Sequence, residues 1–330
     1  MVEKIVILHQ GLGDSDDPMK ANAVKVRDNL EFNIRELGYE PRSVYLDYKF
    51  NWVASIISLQ PSLVFNVADL GFFHNNVFEP NIPAVLDGTG IPYTGSSYYS
   101  MSFSSDKFAS KRYLTEFGVP VPKCALSEYF NGEGVFPAII KYRRLHNSEG
   151  LSIDSVVANV VELERRLRAS QGEQRDELIV EEYVDGPEIC AGFIGNKGNR
   201  LVLPIVQFCF GQVFEGRPKI RDFESKWVIG SDGYEQSPAV IAQFDKGTTE
   251  RINQYTSLIA DLFGIQDYAR LDYRLKPNGD GTFTPLIIDI NANPDVNDDA
   301  TLYKMAKHAG FSYTEYIGKI IETALERTRY

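Results

Sequence analysis

The sequence predicts a protein of mixed α/β and α+β class with more than one lobe, and two observations carry this. The chain opens with KIVIL, an apolar run suited to a buried parallel strand. It then passes through the Gly-containing loop HQGLGDSDDP into AVKVRDNLEFNIRELGYE, apolar at helical spacing and stopped by glycine. From about residue 98 the order becomes helix, Pro-bounded connector, then strands and helices without fixed alternation, the pattern of an α+β lobe. A length of 330 residues accommodates two or three compact lobes.

In the first lobe, placed at residues 1–97, PSLVFNVADLGF reads as strand then loop, and IPAVLDGTGIPYTGSS ends in a turn-rich stretch. GLGDSD is not a dinucleotide fingerprint, because the third glycine is missing and Asp14, Asp16 and Asp17 would repel a pyrophosphate. The second lobe, residues 98–184, reads as a helix (SDKFASKRYLTEFG), a connector (VPVPK), a strand (FPAIIKY), a loop (RRLHNSEG), a helix (VVANVVELERRLRAS) and a strand (ELIVEEYV). The third, residues 185–330, offers the strands ICAGFIGN and LVLPIVQF, a long polar stretch, a helix (TTERINQYTSLIADLFG), a hairpin and a C-terminal helix. Polar stretches as long as 211–238 are usually functional lids or disordered.

A net charge of −11 leaves no broad basic face for a nucleic acid or an anionic membrane. Cys124, Cys190 and Cys209 lie far apart, in neither disulfide nor metal spacing. The N-terminal apolar core, Ile5 to Leu8, is too short for a signal peptide, and no run approaches a membrane span, so a cytoplasmic protein is expected.

Chemistry concentrates in RLDYRLKPNGDGTFTPLIIDINANPDVNDDA, which reads as two strands joined by a hairpin. With GDGT as a four-residue tip, Asp272 lies opposite Asp289 and Arg270 opposite Asn291. Opposed carboxylates repel. A hard cation such as Mg²⁺ would relieve this, whereas a solvated acidic face, or a one-residue slip of register, would make the pairing incidental. Lys107 near a helix start and Lys141 at the end of PAII would suit a polyphosphate if they converge, with HNSEG covering it through backbone amides; otherwise both are surface lysines. Glu181 to Val184 end a strand just before DGPE, where a purine could bond to backbone and Glu188 could take ribose hydroxyls. Of the histidines only His146, in the proposed phosphate loop, is a candidate; none has metal spacing.

The succession IPYTGSS, SDKFASKRYLTEFGVPVP, FPAIIKY, LIVEEYVDGPEI, DFESKW, ARLDYRL and IIDINANP resembles the D-alanine:D-alanine ligase branch of the ATP-grasp superfamily, from about residue 62 to the C-terminus. The resemblance implies a three-lobe ATP-grasp fold, with a parallel-sheet N-terminal lobe and ATP between the central and C-terminal lobes. By motif, Lys107 and Lys141 correspond to phosphate-contacting lysines, Glu181 and Val184 to an adenine-facing pair, Glu188 to the ribose contact and Lys226 to a lid lysine reaching the γ-phosphate. Asp272, Asp289 and Asn291 correspond to ligands of two Mg²⁺ ions, and Arg270 to the arginine that holds the oxyanion. The family usually has glutamate where this chain has the shorter Asp289. Implied is a ligase that activates a carboxylic acid as an acyl phosphate for attack by an amine, with dimer formation through the N-terminal lobe.

Departures cluster at the substrate positions. The first loop has aspartates where the family has Gly-Gly and an ammonium-binding glutamate. The central serine pair becomes Asn147 and Ser148, with Arg143, Arg144 and His146 beside them. After Asn291 the family's Pro-Gly and Ser-Leu are replaced by PDVNDDATL, where Asp295, Asp298 and Asp299 would repel an acceptor carboxylate unless a cation intervenes, and where Thr301 could hold one. The expectation is a carboxylate-amine ligase whose acceptor is not D-alanine. The near alternative is a D-alanine:D-alanine ligase, and the distant one a non-catalytic nucleotide-binding relative.

Overall fold

The computed structural model describes residues 2–11, 17–130, 135–146, 148–169 and 177–327. KIVIL lies in β1 (Lys4–His9), where Ile5 to Leu8 are fully buried, as a strand covered on both faces requires. Asp17, accepting from the Met19 amide at 3.0 Å, caps α1 (Pro18–Glu36), and Gly38 ends it at a φ of 86°. Next come β2 (Glu40–Tyr45), α2 (Asn51–Leu59), β3 (Leu63–Asn66) and α3 (Asn81–Asp87). The three strands form a parallel sheet in the order β2-β1-β3.

After α4 (Tyr98–Ser105), α5 (Lys107–Glu116) starts at Asp106, which accepts from the Ala109 amide at 3.0 Å. A four-stranded antiparallel sheet follows, built from β4 (Cys124–Leu126), β5 (Ala138–Tyr142), β6 (Val156–Val157) and β7 (Leu178–Glu182) in the order β4-β7-β5-β6. The stretch expected as one helix, VVANVVELERRLRAS, divides. Its first two residues are β6, and Asn159 accepts from the Glu162 amide at 3.0 Å, so the helix α6 runs only over Val160–Ala169. An Asn that offers the chain an N-cap starts a helix rather than continuing one.

The third sheet contains β8 (Glu188–Ile194), β9 (Leu201–Val202), β10 (Val206–Phe208), β11 (Ala239–Ile241), β12 (Tyr268–Pro277) and β13 (Phe283–Asn291), in the order β11-β10-β8-β12-β13 with β9 also on β8. LVLPIVQF was expected as a single strand. It is broken between β9 and β10 at Pro204, which has no amide hydrogen to give a ladder. Between β10 and β11 lie α7 (Phe223–Trp227) and α8 (Asp232–Glu235), and α9 (Lys246–Leu262) begins on an Asp245 cap. The chain ends with α10 (Thr301–His308) and α11 (Tyr313–Arg327). Among the described residues no helix is long and apolar enough to cross a membrane.

The cores cross the sequence. Leu30 and Ile34 of α1 share one apolar cluster with Ile317, Ile320 and Ile321 of α11, so the first and last helices lock the parallel sheet onto the third sheet. Met101 and Leu114, from α4 and α5, pack with Ile189, Leu271 and Ile259 against the third sheet's other face. The central sheet keeps its own small core with Leu163 and Leu167 of α6.

Candidate functional site

Alternation along β12 puts Arg270, Asp272 and Arg274 on one face, beside Cys190 and Glu188 of β8, which pair with Asp272 and Arg274. On the other side Arg270 pairs with Asn291 and Asp272 with Asp289, the register expected from the sequence. The route to it differs. The tip is residues 278–282, closed by the Asn278 amide on the Thr282 carbonyl, and a bulge between Asp272 and Tyr273 absorbs the extra residue, Ile288, on β13. A bulge leaves a carbonyl out of the ladder. Here the Ile288 carbonyl accepts from Lys111 Nζ at 2.9 Å.

Arg270 grips Asp272 with two bonds, 2.8 Å from Nε to Oδ1 and 3.0 Å from Nη2 to Oδ2, and Asn291 Nδ2 donates to Oδ2 at 3.2 Å. Asp289 stands differently. Its Oδ1 is buried without a hydrogen-bond partner, and Lys107 Nζ lies 3.7 Å away. Burial works against its ionisation, but Lys107, His146, Lys111 and Lys141 outweigh that and hold the carboxyl well below the usual range. Two opposed carboxylates and an amide give an all-oxygen donor set with an unfilled buried acceptor, which fits a hard cation. Among the described residues no group of three His, Cys, Asp or Glu side chains offers a metal site, so a cation here would also need ligands from bound molecules.

The lysines fall into two sets. Lys107 Nζ donates to the Leu145 carbonyl at 2.6 Å and faces Asp289. Lys141 is bonded to Glu181 at 2.8 Å, and Lys111, which the sequence reading missed, meets the same carboxylate at 2.9 Å. Glu181, only 1% exposed, thus spends its side chain on two ammonium groups, and both it and Val184 line a cavity of about 180 Å³ between the central and third sheets. Lys107, Lys141, Tyr183 and Asp289 line it too. Glu188 is bound by Arg274 at 2.5 Å, and Arg274 also donates to the Gly186 and Lys219 carbonyls.

A second cavity, about 650 Å³, adjoins the first and shares His146, Ser148, Glu188, Arg221 and Asp272 with it. Residues between 221 and 238 form part of its wall. Lys226, Trp227 and Tyr234 line it, Ser148 Oγ donates to the Arg221 carbonyl at 2.9 Å, and the Lys219 amide donates to Tyr183 Oη at 2.8 Å. Burial, with Arg270 and Arg221 nearby, pulls the Lys226 ammonium down to about 8. His146 falls to about 4 through burial and the adjacent Lys107, and so is neutral.

Asp295, Asp299 and Thr301 line the larger cavity. Asp295 accepts from Asn22 Nδ2 at 3.1 Å and from the Asn297 amide at 2.9 Å. Asp298 and Asp299 both bind Lys25 of α1, at 2.8 and 2.7 Å, so the cation needed to offset their repulsion is supplied by the chain itself. Arg143 is not brought to either cavity; Asp106 holds it at 2.7 and 2.6 Å. Asn147, Asp14 and Asp16 lie outside the described residues. Asp69 and Glu79 of the first lobe also line the larger cavity and were missed. Burial and the Asp295 charge push Asp69 up to about 7, and burial with Asp69 carries Glu79 well above the carboxylate range. Nothing local marks Asp69, Glu79, Arg221 or Arg274, but Lys111 had a signal: like charges at i and i+4 with Lys107 repel unless a partner separates them.

Residues 116–322 match the family model described as D-ala D-ala ligase C-terminus. An uncharacterized protein of Sinorhizobium fredii, y4sG, is 30% identical over 268 residues, covering 80% of this chain and 75% of that protein. The D-alanine–D-alanine ligase of Halalkalibacterium halodurans is 24% identical across 98% of this chain and all of its own length. Among solved structures, the D-alanine–D-alanine ligase of Bacillus anthracis complexed with ATP superposes with a TM-score of 0.75 at 20% identity, covering 100% of this chain and 99% of that one. The VanG D-Ala:D-Ser ligase of Enterococcus faecalis gives 0.70 at 17% identity, covering 98% of this chain and 100% of that one. These likenesses fix the fold as ATP-grasp.

Proposed function

Because the chain belongs to the D-alanine:D-alanine ligase family of ATP-grasp enzymes, we propose that it joins a carboxylic acid to an amine with ATP cleaved to ADP and phosphate. The observation that carries this reading is the opposed Asp272–Asp289 pair, with its unfilled Asp289 Oδ1, at the junction of two adjoining cavities. The smaller cavity takes the nucleotide, with adenine against Tyr183 and Val184, ribose near Glu188 and the phosphates toward Lys107. The larger takes the acid and the amine. Asp272, Asp289 and Asn291 are the residues that would hold two Mg²⁺ ions, and bound Mg²⁺ supplies charge neutralisation on the phosphate oxygens.

In the first step a carboxylate oxygen bonds to the γ-phosphorus as the bond to the β-bridging oxygen breaks, and ADP leaves with that electron pair. Lys226 and Lys107 offset the charge on the transferring group. The amine nitrogen then bonds to the acyl carbon, phosphate departs, and the nitrogen loses a proton. Arg270, fixed by its fork on Asp272, stabilises the oxyanion between these events. The segment 211–238 keeps water from the acyl phosphate.

The finer reading is that the acceptor is not D-alanine but an amine that is cationic or carries no free carboxylate nearby. Its support is the wall of Asp69, Glu79 and Asp295 in the larger cavity, buried carboxyls raised by desolvation that an adjacent cation would bring back toward ionisation. The neutralisation of Asp298 and Asp299 by Lys25 removes part of the case, and the relatives named D-alanine–D-alanine ligase support the alternative equally. Supplying D-alanine as sole substrate separates the two. ADP release above background assigns D-alanine to both subsites, and release only with a different acid and amine assigns the specialised acceptor.

A further inference from the structure

Arg221 sits in the segment 211–238 with its guanidinium 4.1 Å from the Phe208 ring centroid, stacked over the face that carries Glu188, Cys190 and Asp272. It lines both cavities, which meet where the nucleotide reading places the terminal phosphate. Among the described residues no carboxylate lies within ion-pair distance of it, and its Nε is buried without a hydrogen-bond partner. Burial pulls its ionisation down; Glu188, Cys190 and Asp272 oppose this only in part, and Arg270 adds to it.

A buried cation without a partner destabilises the protein that contains it. The neighbouring arginines are answered: Arg270 by Asp272, and Arg274 by Glu188 and two carbonyls. Arg221 alone of the three has its charge held in place by stacking and by the Ser148 bond to its own carbonyl, facing open space. A planar fork held this way matches a tetrahedral oxyanion.

We propose that Arg221 is a further catalytic residue that binds the terminal phosphoryl group of the nucleotide and stays with it during transfer to the acid. The proposal rests on the ligase reading above. As the oxygen of the acid bonds to phosphorus and the bond to ADP breaks, the charge on the equatorial oxygens passes from one cavity to the other, and Arg221 borders both. The arginine's place between the two cavities lets one side chain follow the phosphoryl group across them.

The test needs no knowledge of the acid or amine. Dissociation constants for ADP and for the β,γ-imido analogue of ATP are measured with Mg²⁺ on the intact protein, on Arg221→Met and on Arg221→Lys, together with thermal unfolding. The expected result is that wild type binds the imido analogue more tightly than ADP. Arg221→Met weakens the analogue by about tenfold or more with ADP changed less than threefold, and Arg221→Lys falls between, keeping charge but losing the fork. The unfolding temperature of Arg221→Met does not fall, since methionine removes an unanswered charge and still packs on Phe208. Equal weakening of both nucleotides with a lower unfolding temperature would make Arg221 structural and overturn the assignment. Unchanged binding of both would overturn it in favour of a contact with the acid. Failure of the wild type to bind either nucleotide would instead overturn the ligase reading, and this proposal with it.

Discussion

Lys226 and Asp289 are opposite cases of one environment. Burial and two arginines lower the lysine to about 8, while a ring of ammonium groups keeps the aspartate ionised in spite of burial. For the lysine the sign is direct: the ammonium form is present below about 8 and is lost as pH rises through it. If that cation meets the γ-phosphate, kcat/KM for ATP, which reports the free enzyme, falls about tenfold per unit above pH 8. In Lys226→Arg that falling limb is absent up to about pH 10, because guanidinium does not titrate there. A pH–rate series on both proteins checks this. For Asp289→Asn, loss of a ligand charge is expected to reduce turnover by about 10²-fold or more at fixed Mg²⁺, with partial recovery at higher Mg²⁺, since outer-shell losses alone reach that range. A magnesium titration of the rate reads it. Both residues were legible as chemical types in motifs. What the sequence could not show was that Glu181 would be occupied by Lys111 and Lys141, because that contact joins α5, β5 and β7 across the chain.

At the level of elements, the hairpin teaches most. Its Asp272–Asp289 pairing was legible because polar side chains recur at every second position, so a register that sets Leu271 opposite Ile290 also sets Asp272 opposite Asp289. The bulge was not legible, since a longer tip and an inserted residue cancel in the count. That bulge gives Lys111 its carbonyl partner and so ties α5 to the third sheet, while Glu181 ties the same lysine to the central sheet. Glu181→Gln is expected to lower the unfolding free energy by about 3–5 kcal/mol, because it leaves Lys111 and Lys141 short of their buried counter-charge. Burial disfavours the ionised Glu181, but the two lysines overcome this and hold its carboxyl below the usual value. Its contribution is therefore complete above the unfolded carboxylate range and disappears as pH falls through the lower folded value. The stability difference between Glu181→Gln and wild type, followed by denaturant unfolding, should shrink toward acid pH. A difference constant from neutral pH to pH 3 would show that the charge pair is not its source.

Across the whole molecule, the parallel-type opening strand, the change to α+β order and the late hairpin were readable from local pattern, but their interlocking was not. α1 and α11 come from opposite ends of the chain and share a core, and no periodicity announces which amphipathic faces will meet. The same packing carries Asp69 and Glu79 from the first lobe to the wall of a cavity lined by the last. Since the nucleotide is proposed to bind between the central and third sheets, ATP with Mg²⁺ at a hundredfold excess over its dissociation constant should stabilise the fold by about 2.7 kcal/mol. Chelating the metal should remove most of that gain, as a thermal shift with and without EDTA would read. The most direct test of the central claim is ADP release by the purified protein with ATP and Mg²⁺ over a matrix of carboxylic acids and amines, D-alanine alone included, with mass analysis of the product. The expected result is ADP formation that requires an acid and an amine together, in equal amount to a condensed product one water lighter than their sum. ADP release indifferent to both, or none with any pair, would contradict a carboxylate-amine ligase.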